Sequence, residues 1–394
     1  LEFRRVLFRS FYFKKTSLKV IVSVLAFLSG YIIYSRLQNE NILLETYNSF
    51  QNYKDYKSSL KNDLAKESTG NLKISKSNTE EQTYVVIIGE STSRWHMQLY
   101  GYNRETTPML ASLKDELYVF NDVISPHTHT MPSLDKILTL SDYQNPNTKN
   151  NASIVQLANQ AGFSTYWLSN QRPVGMHESL PTMIGSAASH KYFVNSEDFM
   201  YHVFDGKLLP YLDKILNEEP QKKMIFIHLM GTHNSYGKRY PEEFDYFRGV
   251  SSQTKFQHSK SVKQVNMYDN AIRYNDFIVK TIIDKVKKKQ TNSYVVYFSD
   301  HGEELYDTVD LIGHNEYHGT KPMFDVPFIV WLSEKYKLKN PKFLEESDIV
   351  NRSYNLEDFF HSFSEISNIK FTKQDSSKSI FSKNYKKTKR LIKN

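Results

Sequence analysis

Three short runs of consecutive apolar residues stand out along the chain: 84–88 (YVVII), 224–229 (MIFIHL) and 294–298 (YVVYF). Unbroken β-rich runs of this length suit strands buried on both faces of a mainly parallel sheet. Between them lie patterns of helical period, such as 153–161 (SIVQLANQA, closed by Gly162) and 266–289 (NMYDNAIRYNDFIVKTIIDKVKKK). Alternation of strands and helices predicts an α/β fold, a mainly parallel central sheet with helices on both faces. Ahead of it, 20–35 (VIVSVLAFLSGYIIYS) carries no charge and is bracketed by Lys19 and Arg36. That run predicts an N-terminal transmembrane helix at 20–36, with Lys19 and Arg36 snorkelling and Tyr31 and Tyr34 near one interface. A cleaved signal peptide would need a small-x-small site after the apolar region, and YIIYSRL has none.

The polar stretches complete the division. Residues 1–19 form a basic segment whose first ten, LEFRRVLFRS, begin without Met and carry no structural weight here. Residues 37–83 read as a helical linker, with an apolar stripe from Ile42 to Tyr53 and a charged, Ser/Asn-rich second half. Residues 84–370 read as one large globular domain and 371–394 as a basic C-terminal tail. No internal repeat is present. Basic residues before the apolar run predict the N-terminus inside and residues 37–394 outside the cytoplasmic membrane.

Composition narrows the options. At 39% hydrophobic and 24% charged over 394 residues, the chain has enough apolar surface for a large core. The absence of cysteine excludes disulfides, thiolate-ligated metals and a cysteine nucleophile. The net charge of +8 resides in the two ends, and the residues between them are slightly acidic. Such a distribution does not track a phosphate backbone, so no nucleic-acid partner is expected. Basic ends fit a membrane surface.

All three apolar runs end in polar chemistry. The first leads into Gly89-Glu90-Ser91, the second into Gly231-Thr232-His233 and the third into Ser299-Asp300-His301-Gly302. Ligands of open α/β sheets bind beyond the carboxyl ends of strands. Glu90, Asp300 and His301 are the carboxylate and imidazole donors that a Zn²⁺ site uses when no thiolate is available. Singly, each is as well explained as a helix cap or a solvated side chain. Together, they would be costly to bury without a cation. The segment 125–134 (SPHTHTMPSL) adds Thr128 and Thr130 before a helical pattern. Thr130 reads either as an N-cap, with Pro132 in the first turn, or as a nucleophile beside a metal. His228 and His233 flank one turn, and His314 and His318 share a Gly-containing loop; these suit phosphate binding or a second metal. His96, His177, His190, His202 and His258 have no such context.

The stretches IIGESTSRWHMQLYGYNRETTPML, SPHTHTMPSL, HLMGTHNSYGKRYP and YFSDHGEELYD with GHNEYHGTKPMFDVPFIVW resemble the phosphoethanolamine transferases of the bacterial envelope, members of the alkaline phosphatase/sulfatase superfamily. The resemblance covers roughly residues 40–370 in order. It implies one zinc ion, with room for a second, held by Glu90, Asp300, His301 and the hydroxyl of Thr130, which would be the nucleophile. It implies His233 as a substrate-phosphate ligand, with His314 or His318 as a second. The function it implies is transfer of phosphoethanolamine from phosphatidylethanolamine, through a phosphothreonine-type ester, to lipid A, core oligosaccharide or a periplasmic protein. A phosphoglycerol transferase, or a sulfatase- or phosphatase-type hydrolase of the same superfamily, is the alternative. The sulfatase motif C/S-x-P-x-R is replaced here by Thr130-Met131-Pro132-Ser133-Leu134. An inactivated binding scaffold would not need Glu90, Thr130, Asp300 and His301 intact. Relatives usually carry several membrane helices and often disulfides; this chain shows one apolar run and no cysteine.

Overall fold

The computed structural model describes residues 18–34, 64–69, 72–76, 81–144, 152–173, 180–195, 203–219, 221–249, 254–341, 348–387 and 390. By its contacts the chain divides into Leu1–Ser59 and Leu60–Asn394. In the first unit a helix spans 18–34, with its apolar side chains exposed along the whole length. Among the described residues no helix is long and apolar enough to cross a membrane. The transmembrane helix expected at 20–36 is therefore not shown by the described residues, and the first half of the expected helical linker, 37–60, lies outside them.

The second unit is built on a seven-stranded sheet. Its strands are β1 (Gln82–Gly89), β2 (Leu117–Val119), β3 (Ser164–Ser169), β4 (His190–Phe193), β5 (Lys222–His228), β6 (Asn292–Ser299) and β7 (Phe328–Leu332). The spatial order is β2-β7-β6-β1-β5-β3-β4. The pairs β6-β1, β1-β5, β5-β3 and β3-β4 are parallel, while β7 runs antiparallel to both β6 and β2. The sheet is thus mixed, parallel through its centre and antiparallel at one side.

Both faces are covered, which is why the central strands are apolar without alternation. One face of the sheet, with Val85, Ile87, Ile225, Ile227, Val295 and Tyr297, shares a core with the long helix Ser259–Lys288 through Ile278, Ile282 and Val286. On the other face Phe226 and Phe298 meet Phe363 and Phe359 of the helix Phe359–Ile366, at ring separations of 6.0 and 4.8 Å. The helices Thr130–Leu138 and Ile154–Gln160 lie with it.

Two segments depart from the pattern-based division. The second half of the expected linker is docked on the domain: Leu64 and Leu72 are buried, and Ile74–Lys76 pairs with Lys370–Phe371. The carbonyls of Lys66, Glu67 and Thr69 accept hydrogen bonds from Gln156, Asn159 and Gln160. Two isolated leucines in a polar stretch give no periodicity, yet burying each contributes roughly 1.5–3 kcal/mol. The C-terminal tail is similarly tied down. Ile380 and Phe381 are buried, Lys378 pairs with Asp142 and Asp358, and Arg390 pairs with Asp122. Those cations are engaged within the domain rather than presented as a free basic tail.

Candidate metal centre and nucleophile

Parallel pairing in register brings three strand ends to one edge. Gly89 of β1 lies opposite Ser299 of β6, and Ile88 lies opposite His228 of β5. The next residues out are therefore Glu90, Asp300 and the turn that carries His233. The backbone is drawn tight here: Ser91 adopts φ +55°, and its N–H donates to Asp300 Oδ1 at 3.1 Å. Gly231, at φ +52°, packs against the Glu90 backbone so closely that a Cβ would lie 2.9 Å from both its N and its O. The buried Asp205 carboxylate accepts the N–H groups of Met230 and Gly231 and fixes this turn.

Thr130 arrives from outside the sheet. It is the first residue of the helix Thr130–Leu138, and His129, in extended conformation, occupies the N-cap position. Thr130 is thus not the cap; its hydroxyl is free to donate to Glu90, at 3.1 Å from Oε1 and 3.2 Å from Oε2. Glu90, Asp300 and His301 are fully buried, and ligand atoms from all three lie within 4.8 Å of one another.

The donor set fits a divalent cation. His301 Nδ1 sits 2.8 Å from the Gly302 carbonyl, which only accepts, so Nδ1 carries a proton and Nε2 is the ring nitrogen that points inwards. Nε2 faces Glu90 Oε1 at 3.3 Å and Asp300 Oδ2 at 3.7 Å. Both His301 Nε2 and Asp300 Oδ2 are buried without a hydrogen-bond partner. Burial and the charge of Glu90 push the Asp300 carboxyl up. Burial would also raise Glu90, but the histidines beside it, His301 first, hold it well below the usual range. Burial would lower His301, yet Asp300 and Glu90 hold it up. Two carboxylates converging in a dry site repel each other, and a Zn²⁺ ion would convert that repulsion into coordination, displacing the proton from His301 Nε2 as it bound.

The remaining histidines separate clearly. His233 is half-buried, and its buried Nδ1 has no hydrogen-bond partner. His314 donates through Nδ1 to Glu303 Oε2 at 2.7 Å, and its ring lies 4.3 Å from that of His301. His301, Glu303 and His314 form a second group able to hold a cation. His318 is exposed and outside that group. Between the two residues left open by the sequence, the structure brings His314 to the site. Burial lowers His228 to about 4, with Glu90 pulling the other way.

Several participants were not singled out in the sequence. Glu303 also accepts from the Tyr236 hydroxyl, and Glu316 receives the side chains of His127 and His129. The SDHGEE run places Glu303 two residues after His301, which was the available signal; Glu316 carried none. His96 is buried between Asp269, at 2.7 Å, and Asp307, at 3.2 Å, a structural pairing beneath the strand edge.

The chain is similar to known proteins over most of its length. A family model described as sulfatase matches residues 82–369. The phosphoethanolamine transferase EptC of Escherichia coli strain K12 is 35% identical over 326 residues, covering 81% of this chain and 56% of that protein. The chain spans about half the length of the curated relatives it matches. Among solved structures, the C-terminal periplasmic domain of EptC from E. coli superposes with a TM-score of 0.78 at 34% identity, over 83% of this chain and 93% of that one. A zinc complex of that domain matches with a TM-score of 0.77 at 33% identity, over the same shares of the two chains.

Proposed function

This chain belongs to the sulfatase family, and from that premise we propose that it is the catalytic part of a zinc-dependent phosphoethanolamine transferase of the bacterial envelope. The observation that carries the reading is the Thr130 hydroxyl hydrogen-bonded to Glu90 beside the orphaned Asp300 Oδ2 and His301 Nε2. Zinc bound by Glu90, Thr130, Asp300 and His301 would supply the positive charge that makes a threonine hydroxyl acidic and offsets charge on the phosphoryl oxygens.

Around that charge the side chains divide the work. Thr130 Oγ1 gives up its proton and forms a bond to the phosphorus of phosphatidylethanolamine. The bond from phosphorus to the glycerol oxygen breaks, and diacylglycerol leaves after taking a proton. Phosphoethanolamine is then held as an ester on Thr130. His233 and His314 orient the non-bridging oxygens, and Glu303 fixes the tautomer of His314 through Nδ1. A hydroxyl or phosphate of lipid A, core oligosaccharide or a periplasmic protein attacks the same phosphorus from the vacated side and releases Thr130. The helix at 18–34, apolar and exposed, supports attachment to the inner membrane with the domain in the periplasm, where donor and acceptor share one plane.

Fluorescent phosphatidylethanolamine incubated with the full chain, zinc and envelope membranes should yield fluorescent diacylglycerol. Turnover of phosphatidylglycerol alone would assign phosphoglycerol transfer instead. Release of free phosphoethanolamine with no labelled acceptor would make the protein a hydrolase.

A further inference from the structure

Three residues lead into Thr130, and all three are held by one carboxylate from a distant loop. Glu316 Oε1 accepts from His127 Nδ1 at 2.7 Å. Its Oε2 accepts from the Thr128 N–H at 3.2 Å and the Thr128 hydroxyl at 3.0 Å, and lies 3.3 Å from His129 Nδ1. The same segment is also anchored at its ends, where Ser125 Oγ donates to the His127 carbonyl, Tyr143 OH to the Pro126 carbonyl and the Ser133 N–H to the His129 carbonyl. Glu316 is thus the one side chain that holds residues 127, 128 and 129 together among the described residues, directly before the helix begins.

We propose that Glu316 is a positioning residue for the Thr130 nucleophile, the anionic latch by which the loop 311–320 sets the backbone that delivers the hydroxyl to Glu90. The inference rests on the functional reading above and assigns it a residue outside the ligand set. His129 has extended angles, φ −125° and ψ 144°, and Thr130 is the first helical residue. Rotation about those two bonds swings Thr130 Oγ1 directly. The helix beyond Thr130 is held by Ser133, whose hydroxyl donates to the Asp300 carbonyl, so the freedom left to Thr130 lies on the side that Glu316 restrains. The same loop also carries His314, whose ring lies 4.9 Å from that of His129. One carboxylate thus couples the nucleophile strand and the phosphate-binding loop, and placing both together is what lets attack on a bound phosphoryl group proceed.

The carboxylate acts through geometry and touches no substrate, so its loss should appear in turnover rather than in donor binding. With the full chain in detergent and fluorescent phosphatidylethanolamine as donor, Glu316→Ala should lower kcat on the order of 100-fold and leave KM within about twofold. Glu316→Gln keeps an acceptor for the two Thr128 donors and should recover a large part of that loss. Hydrogen–deuterium exchange, which needs no substrate, should show the Thr128 amide opening roughly tenfold faster in Glu316→Ala while the amides of 85–88 are unchanged. A kcat within twofold of the parent, a change confined to KM, or an unaltered Thr128 amide would overturn the proposal. Failure of the parent chain to use phosphatidylethanolamine would instead overturn the functional reading, and the exchange measurement would still decide the latch.

Discussion

Gly231→Ala isolates how closely the turn after β5 is built against Glu90. The residue sits at φ +52°, where a side chain costs about 1–2 kcal/mol. The added Cβ would also meet Glu90 N and O at 2.9 Å, roughly 0.5 Å inside ordinary contact distance. Neither partner is a flexible side-chain tip: Glu90 O is already clamped by the Thr232 N–H at 3.0 Å and the Thr232 hydroxyl at 3.1 Å. The clash must therefore move the Glu90 backbone, and its carboxylate with it. A total loss of about 2–3 kcal/mol, read as a melting temperature lower by roughly 5 °C, is expected from strain and displacement together. Since a 1 Å misplacement in a catalytic array costs on the order of 100-fold, half of that should reduce kcat about tenfold. Gly101→Ala supplies the control. Gly101 has φ +97° with nothing within 4 Å of a built Cβ, so it should lose only about 1–2 kcal/mol to strain and no activity. Calorimetry and donor turnover on both variants make the assay. Full activity in Gly231→Ala, or an equal loss of activity in Gly101→Ala, would refute the reasoning.

Other expectations follow from the same site. Asp300→Ala and His301→Ala should each bind less than one-tenth of the parent's zinc by elemental analysis while keeping the parent's circular dichroism, since each removes an inward ligand. Thr130→Ala should abolish transfer, whereas Thr130→Ser should retain a measurable rate because its hydroxyl reaches the same position. Stability should also depend on pH through His96. Burial would lower its imidazole, but Asp307 and Asp269 hold it up at about 10, with Arg104 and Tyr102 also hydrogen-bonded to Asp269. A folded value above the unfolded one, about 6.5, means that the contribution is complete below pH 6.5 and is lost as pH rises through about 10. The melting temperature of the parent should accordingly fall more steeply than that of His96→Gln between pH 7 and 10.

What the chain reveals before folding depends on how local the cause is. The central strands were readable because burial on both faces leaves Tyr84–Ile88 and Tyr294–Phe298 without polar interruption. Glu90, Asp300 and His301 were readable as a set because parallel strands in register must bring their ends to one edge. The choice between His314 and His318 was not, since it depends on the short hairpin Glu304–Leu305 with Ile312–Gly313, which returns the chain to His301. Neither was Glu316, whose partners lie 187–189 residues away. The docking of 64–76 escaped notice because two leucines and a three-residue strand leave no period, and only the opposing Lys370–Phe371 gives them meaning.

The most direct test is of the residue said to carry the transferred group. The full chain with zinc, given phosphatidylethanolamine and no acceptor, should be digested and its peptides sequenced by mass spectrometry. The account predicts one added phosphoethanolamine on Thr130, lost again when acceptor membranes are restored. A modification on Thr128, or diacylglycerol released at the parent rate by Thr130→Ala, would contradict it.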